Sequence, residues 1–302
     1  MVSVSFILRA VGAWMLVCSV LVSTGYSAPV APDQAGTWGA LIQQARHLKL
    51  PTAFLERMPQ DFVTIEFEGL RFFSSEYHLE DHRLVLNRTL SLNEAGRVLR
   101  PLATIPPRDL GTLYHELFHA YLDYLLTYAE KGESNSIDGA MRQFANQVQQ
   151  CRYQVVEILP VKNRKLSTEQ RFLTEIEAWE VLHETWAVFV GWTVWNALEI
   201  KGASSKSVKE IVVGPTWQGR LRKADQEAEL IGYYEPATSA ERAVTQKRYL
   251  SPAFRLSRQE ANHLLTAIFD LFPIPAERVA GGITASMEGA FVEACGPAKG
   301  GG

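Results

Sequence analysis

Two histidines four residues apart, inside a stretch that reads as one long helix, constrain this chain more than any other feature. Residues 115–119 are His115-Glu116-Leu117-Phe118-His119. Asp109 stands where an N-cap belongs, ahead of a helix predicted to run through about Leu126. At about 100° per residue, positions i and i+4 share one face. Leu110, Leu113, Tyr114, Leu117 and Tyr121 then form a core-facing stripe. His115, His119 and Asp123 fall on the opposite side, about 40° apart in succession, with Glu116 beside them. Two imidazoles so placed can reach one tetrahedral metal ion, and the Glu next to the first His points at water on that ion. With 7 His in 302 residues, the pattern arises by chance on the order of once in a hundred such chains.

Composition limits the alternatives. A chain with 47% hydrophobic and 21% charged residues folds around a core and is not disordered, collagen-like or a multi-span membrane protein. A formal charge of -3 supplies no global basic field, so no nucleic-acid partner is expected. The 3 Cys are too few for a disulfide scaffold.

Residues 1–31 stand apart from the fold. Met1 to Arg9 carry one positive charge, Ala10 to Val22 is an apolar run, and Ser23 to Ala28 is a small-residue stretch. That is the order of a secretory signal peptide, assigned to residues 1–27 with cleavage after Gly25 or Ser27. The apolar run is shorter than the ~20 residues a membrane span needs. A secreted or periplasmic protein with no membrane span after cleavage is expected, its domain covering residues 32–302. Cys18 leaves with the signal, so Cys151 and Cys295 are the one possible intrachain pair in an oxidising compartment. Asn87-Arg88-Thr89 fits a glycosylation sequon but is common by chance.

Along the rest of the chain, residues 37–58 read as helical with a break at Pro51. Val63, Ile65 and Phe67 alternate with polar residues as a half-buried strand, and Leu84 to Leu86 mark another. Pro101 to Pro107 form a linker. Helices are predicted over 139–158, 169–199 and 258–271. Basic residues between Lys201 and Lys223 read as a solvated surface, and His263 as a packed or surface histidine. Strands come early and helices late, which gives an α+β fold dominated by helix.

On the strength of HELFH inside a helix, the sequence resembles the zincin metallopeptidases. The metzincin extension HExxHxxGxxH requires Gly and His where Leu122 and Leu125 stand, which excludes that branch. In gluzincins the third ligand is a Glu on a later helix, in an ExxxD or ExEAx type of pattern. Glu175-Ile176-Glu177-Ala178-Trp179-Glu180 looks like this, with Trp179 where many members carry an Asp that orients a ligand histidine. Asp123 in HELFHAYLD is similar to the HExxHAxxD of thermolysin-like enzymes and is a candidate for that orienting role. The likeness spans roughly residues 60–195, and implies a zincin-like fold with a small β-sheet before the active-site helix.

Glu175, Glu177, Glu180 and Glu184 compete for the third ligand. A buried arc defined by Phe172, Ile176, Trp179, Leu182, Trp186 and Val190 contains Glu175, whereas Glu177, Glu180 and Glu184 project elsewhere. A carboxylate aimed at a core needs a partner such as Zn²⁺. Glu175 is therefore the expected ligand beside His115 and His119, with Glu177 and Asp138 as alternatives. The expected chemistry uses one Zn²⁺ per chain, with Glu116 as general base for water attacking the carbonyl of a peptide or protein substrate. His183, Tyr233, Tyr234, Arg242 and Tyr249 are possible donors to the oxyanion, and His183 reads as a satisfied core histidine. The alternative is an exported zinc-binding or interaction protein of the same fold without turnover.

Overall fold

A long apolar helix finds its partner wherever two glycines let backbones touch, and that contact organises the protein. The computed structural model describes residues 34–71, 74–93, 98–127, 136–161 and 167–271. These belong to one compact unit, Pro32–Gly302, which is helix-dominated with small sheets, as an α+β reading requires. Helix α3, Pro107–Thr127, carries the histidine motif. It packs against α5, Glu175–Lys201, more extensively than any other pair of elements. The helices run antiparallel, since Arg108 stacks on Trp195 near one end while His119 faces His183 toward the other. Between them Gly111 meets Gly191. A Cβ on Gly191 would stand 2.7 Å from the Gly111 carbonyl oxygen and 3.1 Å from the His115 Cβ. One on Gly111 would stand 2.8 Å from the Gly191 oxygen. No side chain larger than hydrogen fits at this crossing.

Ahead of α3 lie α1, Gln34–His47, and the short α2, Ala53–Arg57, broken apart around Pro51 as expected. A three-stranded sheet follows: β1 Thr64–Glu68, β2 Ser75–His78 and β3 Arg83–Asn87, in the order β1-β3-β2. β3 is central, parallel to β1 and antiparallel to β2. Its consecutive buried Leu84, Val85 and Leu86 suit a strand covered on both faces. β2 is an edge that no hydrophobic alternation announces, and it lies against α3. The turn into β3 places His82 at φ 52°, a left-handed conformation that brings its ring to Asp123.

Three boundaries differ from the sequence reading. α3 opens at Pro107, with Asp109 inside its first turn rather than capping it; proline suits N1 because its missing N–H is not needed there. Residues 139–158 divide into α4, Ile137–Arg152, and β4, Val155–Ile158. Residues 169–172 are β5, Glu169–Phe172, paired with β4. α5 starts only after Thr174, whose hydroxyl and Glu177 make a reciprocal capping box.

Beyond α5 come α6 Val208–Val212, α7 Pro215–Gln226, β6 Tyr233–Tyr234, α8 Ser239–Val244, β7 Arg248–Tyr249 and α9 Arg258–Phe269. β6 and β7 pair, and Ile158 bridges to Leu250. The basic segment after Lys201 spends its charge locally: Lys201 bonds the Leu48 carbonyl, and Arg220 bonds Glu199. His263 stacks on Phe144. Cys151 is disulfide-bonded; Cys295 and the expected signal segment lie outside the described residues. No described helix is long and apolar enough to cross a membrane.

Glu260, fully buried on α9, ties the helices together. It accepts from Tyr153 Oη at 2.6 Å, Trp186 Nε1 at 2.8 Å and the Ser257 amide at 2.8 Å, and it pairs with Arg152. Removing one member of a buried ion pair strands the other charge, at a cost of about 3–5 kcal/mol. Glu260→Ala is expected to lose about that much in denaturant unfolding, and a change under about 1 kcal/mol would refute the assigned role. The glycine contact has its own test. Gly191→Ala is expected to destabilise by about 1–3 kcal/mol because the clash is with backbone. Gly39→Ala in α1, where a Cβ meets nothing within 4 Å, is expected to gain about 0.5–1 kcal/mol.

Candidate metal centre

The glycine crossing sets the phase of both helices at the site. His115 follows Gly111 by one turn, and Glu184 precedes Gly191 by two, so both return to the shared face. His119 lies one further turn along. The Nε2 atoms of His115 and His119 are 3.0 Å apart. The Glu184 carboxylate stands 3.4 Å from His115 Nε2 and 3.6 Å from His119 Nε2. Metal–ligand bonds of ~2.0–2.1 Å at tetrahedral angles imply ligand-to-ligand edges of about 3.3 Å. The three edges bracket that value.

Charge states agree with a ligand set. Burial, with neighbouring positive groups, pushes His119 down to about 3, and burial alone pushes His183 down to about 4. His119 is therefore neutral near pH 7, the form that binds metal, whereas at His115 burial lowers the pKa but the neighbouring Glu184 and Glu116 outweigh it and raise it above the ordinary imidazole value. Burial works to raise Glu184, but His119, His115 and the Tyr233 hydroxyl outweigh it and hold the carboxylate at about 2. Glu184 Oε2 is buried with no hydrogen bond. A buried ionised oxygen without a donor is costly, and a cation among these three side chains removes that cost. The residues present thus fit a divalent metal.

Glu116 occupies a different position. It lies within 4.8 Å of both histidine nitrogens, yet one of its oxygens accepts the Tyr77 backbone amide at 2.9 Å. Edge strand β2 thus holds it beside the centre, and burial pushes it up to about 7. Asp123 accepts Tyr77 Oη and His82 Nδ1, each at 2.7 Å, and Thr127 Oγ1 at 3.1 Å. It braces β2 against α3 and makes no hydrogen bond to His115 or His119, so the orienting role expected of it is not the one it plays here.

The expected third ligand, Glu175, is corrected by this geometry. It is the first residue of α5, solvent-exposed, and more than two turns from Glu184. The phase argument failed because Phe172 belongs to β5 and not to the helix. Phe172 and Ile176 are 81% and 75% exposed, so the arc faces solvent at the end where Glu175 lies, although Leu182, Trp186 and Val190 further along it are buried. Glu177 is buried but bonded to Thr174 and the Ala237 amide. Glu180 accepts the Glu235 amide, and Asp138 accepts Arg57 and Tyr121. Glu184 carried a signal of its own: it is the one Asp, Glu, Lys or Arg between Glu180 and Glu199, and a lone carboxylate in an apolar run has to find a partner.

Among the possible oxyanion donors, Tyr233 is the one brought to the centre. Its hydroxyl reaches Glu184 and also feels the charge of Glu116. Gly232 makes this approach possible, because a Cβ there would stand 1.9 Å from Thr185 Oγ1 and 2.9 Å from Thr185 Cα. His183 is buried and stacked on His119 at 5.8 Å, with Nδ1 lacking any hydrogen bond, so it is not the satisfied core histidine expected. Arg242 bonds the Pro236 and Ala237 carbonyls.

No protein-family model, no curated protein and no solved structure matches this chain. The site's chemistry accordingly rests on its own geometry.

The convergence of His115, His119 and Glu184 makes a direct prediction. Glu184→Ala is expected to weaken zinc binding by at least about 10–100-fold, the loss that even an indirect partner produces. Glu175→Ala is expected to bind like the parent. Competition with a chromophoric chelator measures both, and the opposite ranking would return the third position to Glu175.

Proposed function

We propose that this chain is an exported, zinc-dependent peptidase with a gluzincin-like arrangement: His115, His119 and Glu184 hold the metal, and Glu116 is the general base. The observation that carries the reading is the convergence of two imidazoles and an ionised carboxylate, with a second carboxylate held alongside by a backbone amide. Two nitrogens and one oxygen suit Zn²⁺ and leave room for a further ligand. When bound, the ion supplies a Lewis acid that acidifies water and polarises a carbonyl.

The protein's own groups would do the rest. Glu116 has one oxygen anchored by Tyr77, which leaves the other to accept a proton from the attacking water and return it to the leaving amine. A carboxyl near pH 7, where burial places it, can do both at neutral pH. Tyr233, kept protonated by burial and by the neighbouring Glu184, can donate to the oxygen on which negative charge develops. Glu184 holds Tyr233 and faces the two histidines, so one side chain sets both the ligand geometry and this donor.

The test is Glu116→Gln. Gln is nearly isosteric and can still accept the Tyr77 amide, but it cannot take a proton from water. The variant is expected to keep about one zinc per chain and to lose about 10²–10⁴ in hydrolysis of a mixed peptide library. A variant that cleaves like the parent sinks the assignment of the base. A zinc-loaded parent with no turnover at all favours instead an exported zinc-binding protein.

A further inference from the structure

A histidine that binds metal through Nε2 has a loose torsion to control. Its χ2 angle is broad and roughly two-fold, and turning the ring about Cβ–Cγ swings Nε2 away from the point where the ligands meet. A hydrogen-bond partner on the other ring nitrogen usually stops that rotation. His119 has none: its one side-chain hydrogen bond among the described residues is to His115 Nε2, a contact between the two metal-facing atoms. Asp123, the nearest carboxylate along α3, is taken up by Tyr77, His82 and Thr127.

What meets His119 instead is a ring. His183 on α5 lies against it with planes 12° apart and centroids 5.8 Å apart, within the range of offset stacking. Successive residues of a helix point about 100° apart, so Glu184 meets the nitrogen edge of His119 while its neighbour His183 covers the flat face. One turn back on α5, Trp179 stands across His183, with centroids 6.4 Å apart and planes at 82°. The three rings form a column that runs from a metal-facing side chain to a half-buried indole. His183 is buried, and its Nδ1 has no hydrogen bond. An unpaired buried nitrogen is costly, and a leucine would carry none; the property the imidazole brings to this position is its flat face.

We propose that His183, braced by Trp179, is a positioning residue that fixes the ring plane of His119 and so aims its Nε2 at the metal. The inference rests on the metal centre of the reading above and deepens it. A ring face on the neighbouring helix takes the part that a hydrogen-bonding partner plays at other histidine ligands.

The experiment reads metal binding and is independent of turnover. His183→Phe keeps a ring face, and His183→Leu fills the space without one. Val194→Ala, a truncation at a fully buried position three turns further along α5, controls for lost packing alone. Competition with a chromophoric chelator gives zinc affinity, and the d–d absorption of the cobalt-substituted protein reports ligand geometry. His183→Leu is expected to bind zinc about tenfold or more weakly than the parent and to shift the cobalt bands. His183→Phe is expected to stay close to the parent in both, and so is Val194→Ala, whatever its melting temperature. Should His183→Leu fail to fold, Trp179→Leu decides, with an expected loss of about 2–10-fold in zinc affinity, the worth of one aromatic pair.

His183→Leu binding zinc like the parent, or His183→Phe losing as much as His183→Leu, overturns the proposal, as does unchanged affinity in Trp179→Leu. Weakened binding in His183→Leu that His183→Phe restores, with no hydrolysis by the zinc-loaded parent, upholds this inference and overturns the peptidase reading alone. A parent that takes up no metal overturns both.

Discussion

The contact between Gly111 and Gly191 is the constraint from which the rest of the centre follows. Helices packed through ordinary side chains have axes 8–10 Å apart; two glycines face to face bring backbones into contact. His115 comes within reach of Glu184 because of that approach, and the Cβ of His115 itself forms part of the wall around Gly191. The stability of the crossing and the placement of His115, His119 and Glu184 are therefore one property, set by the absence of two side chains.

The electrostatics are equally interdependent. Burial makes His119 and His183 poor bases, which keeps them neutral, and it would make Glu184 a poor acid were the imidazoles and Tyr233 not beside it. At Glu116 burial wins instead: with Glu184 and Glu76 adding to it, it outweighs His115 and the Tyr77 amide, and the carboxyl rises. Two carboxylates beside the same pair of histidines are thus driven in opposite directions by their surroundings, which is how neighbouring carboxylates acquire different roles. One is a fixed negative group facing two histidines and the other a group able to exchange a proton near neutrality.

Local periodicity carried the parts of this arrangement that depend on a single element. The motif helix was legible because Leu110, Leu113, Tyr114, Leu117 and Tyr121 recur at helical spacing, and all five are buried. β1 and β3 were legible from alternation and from an apolar run. β2 was not, since Ser75-Glu76-Tyr77-His78 has no strand pattern; it is specified by pairing with β3 and by Tyr77 bonding to α3. Glu175 was favoured for the same kind of reason that β5 was missed. An apolar phase was extended through Phe172 into residues that form a strand, and the start of α5 is set by the Thr174 cap. Within the helix, phase loses its meaning anyway: Val181, Leu182, Trp186, Ala187, Val190 and Val194 are all fully buried, so apolar residues surround the axis. What distinguished Glu184 was its isolation in that run.

The segment from Gly232 to Leu250 shows why the remainder could not be read from order alone. Its β6 strand is two residues long and has no periodicity to detect. Gly232 lets the strand rest directly on Thr185, the neighbour of Glu184, and the register of Tyr233 with Tyr249 sets the two rings side by side. Backbone groups do most of the fastening: the Leu159 amide donates to Tyr249, Ser251 to Glu157, Ala237 to Glu177 and Glu235 to Glu180. The acidic face at the start of α5, where ligands were sought, thus serves as the anchorage for this loop. Glu177 and Glu180 hold its backbone, one turn apart, and Glu184 one turn further on meets the Tyr233 that the loop delivers. A single stripe of carboxylates along α5 changes role along its length, from fastening a chain segment in the first turns to facing two histidines further along the helix.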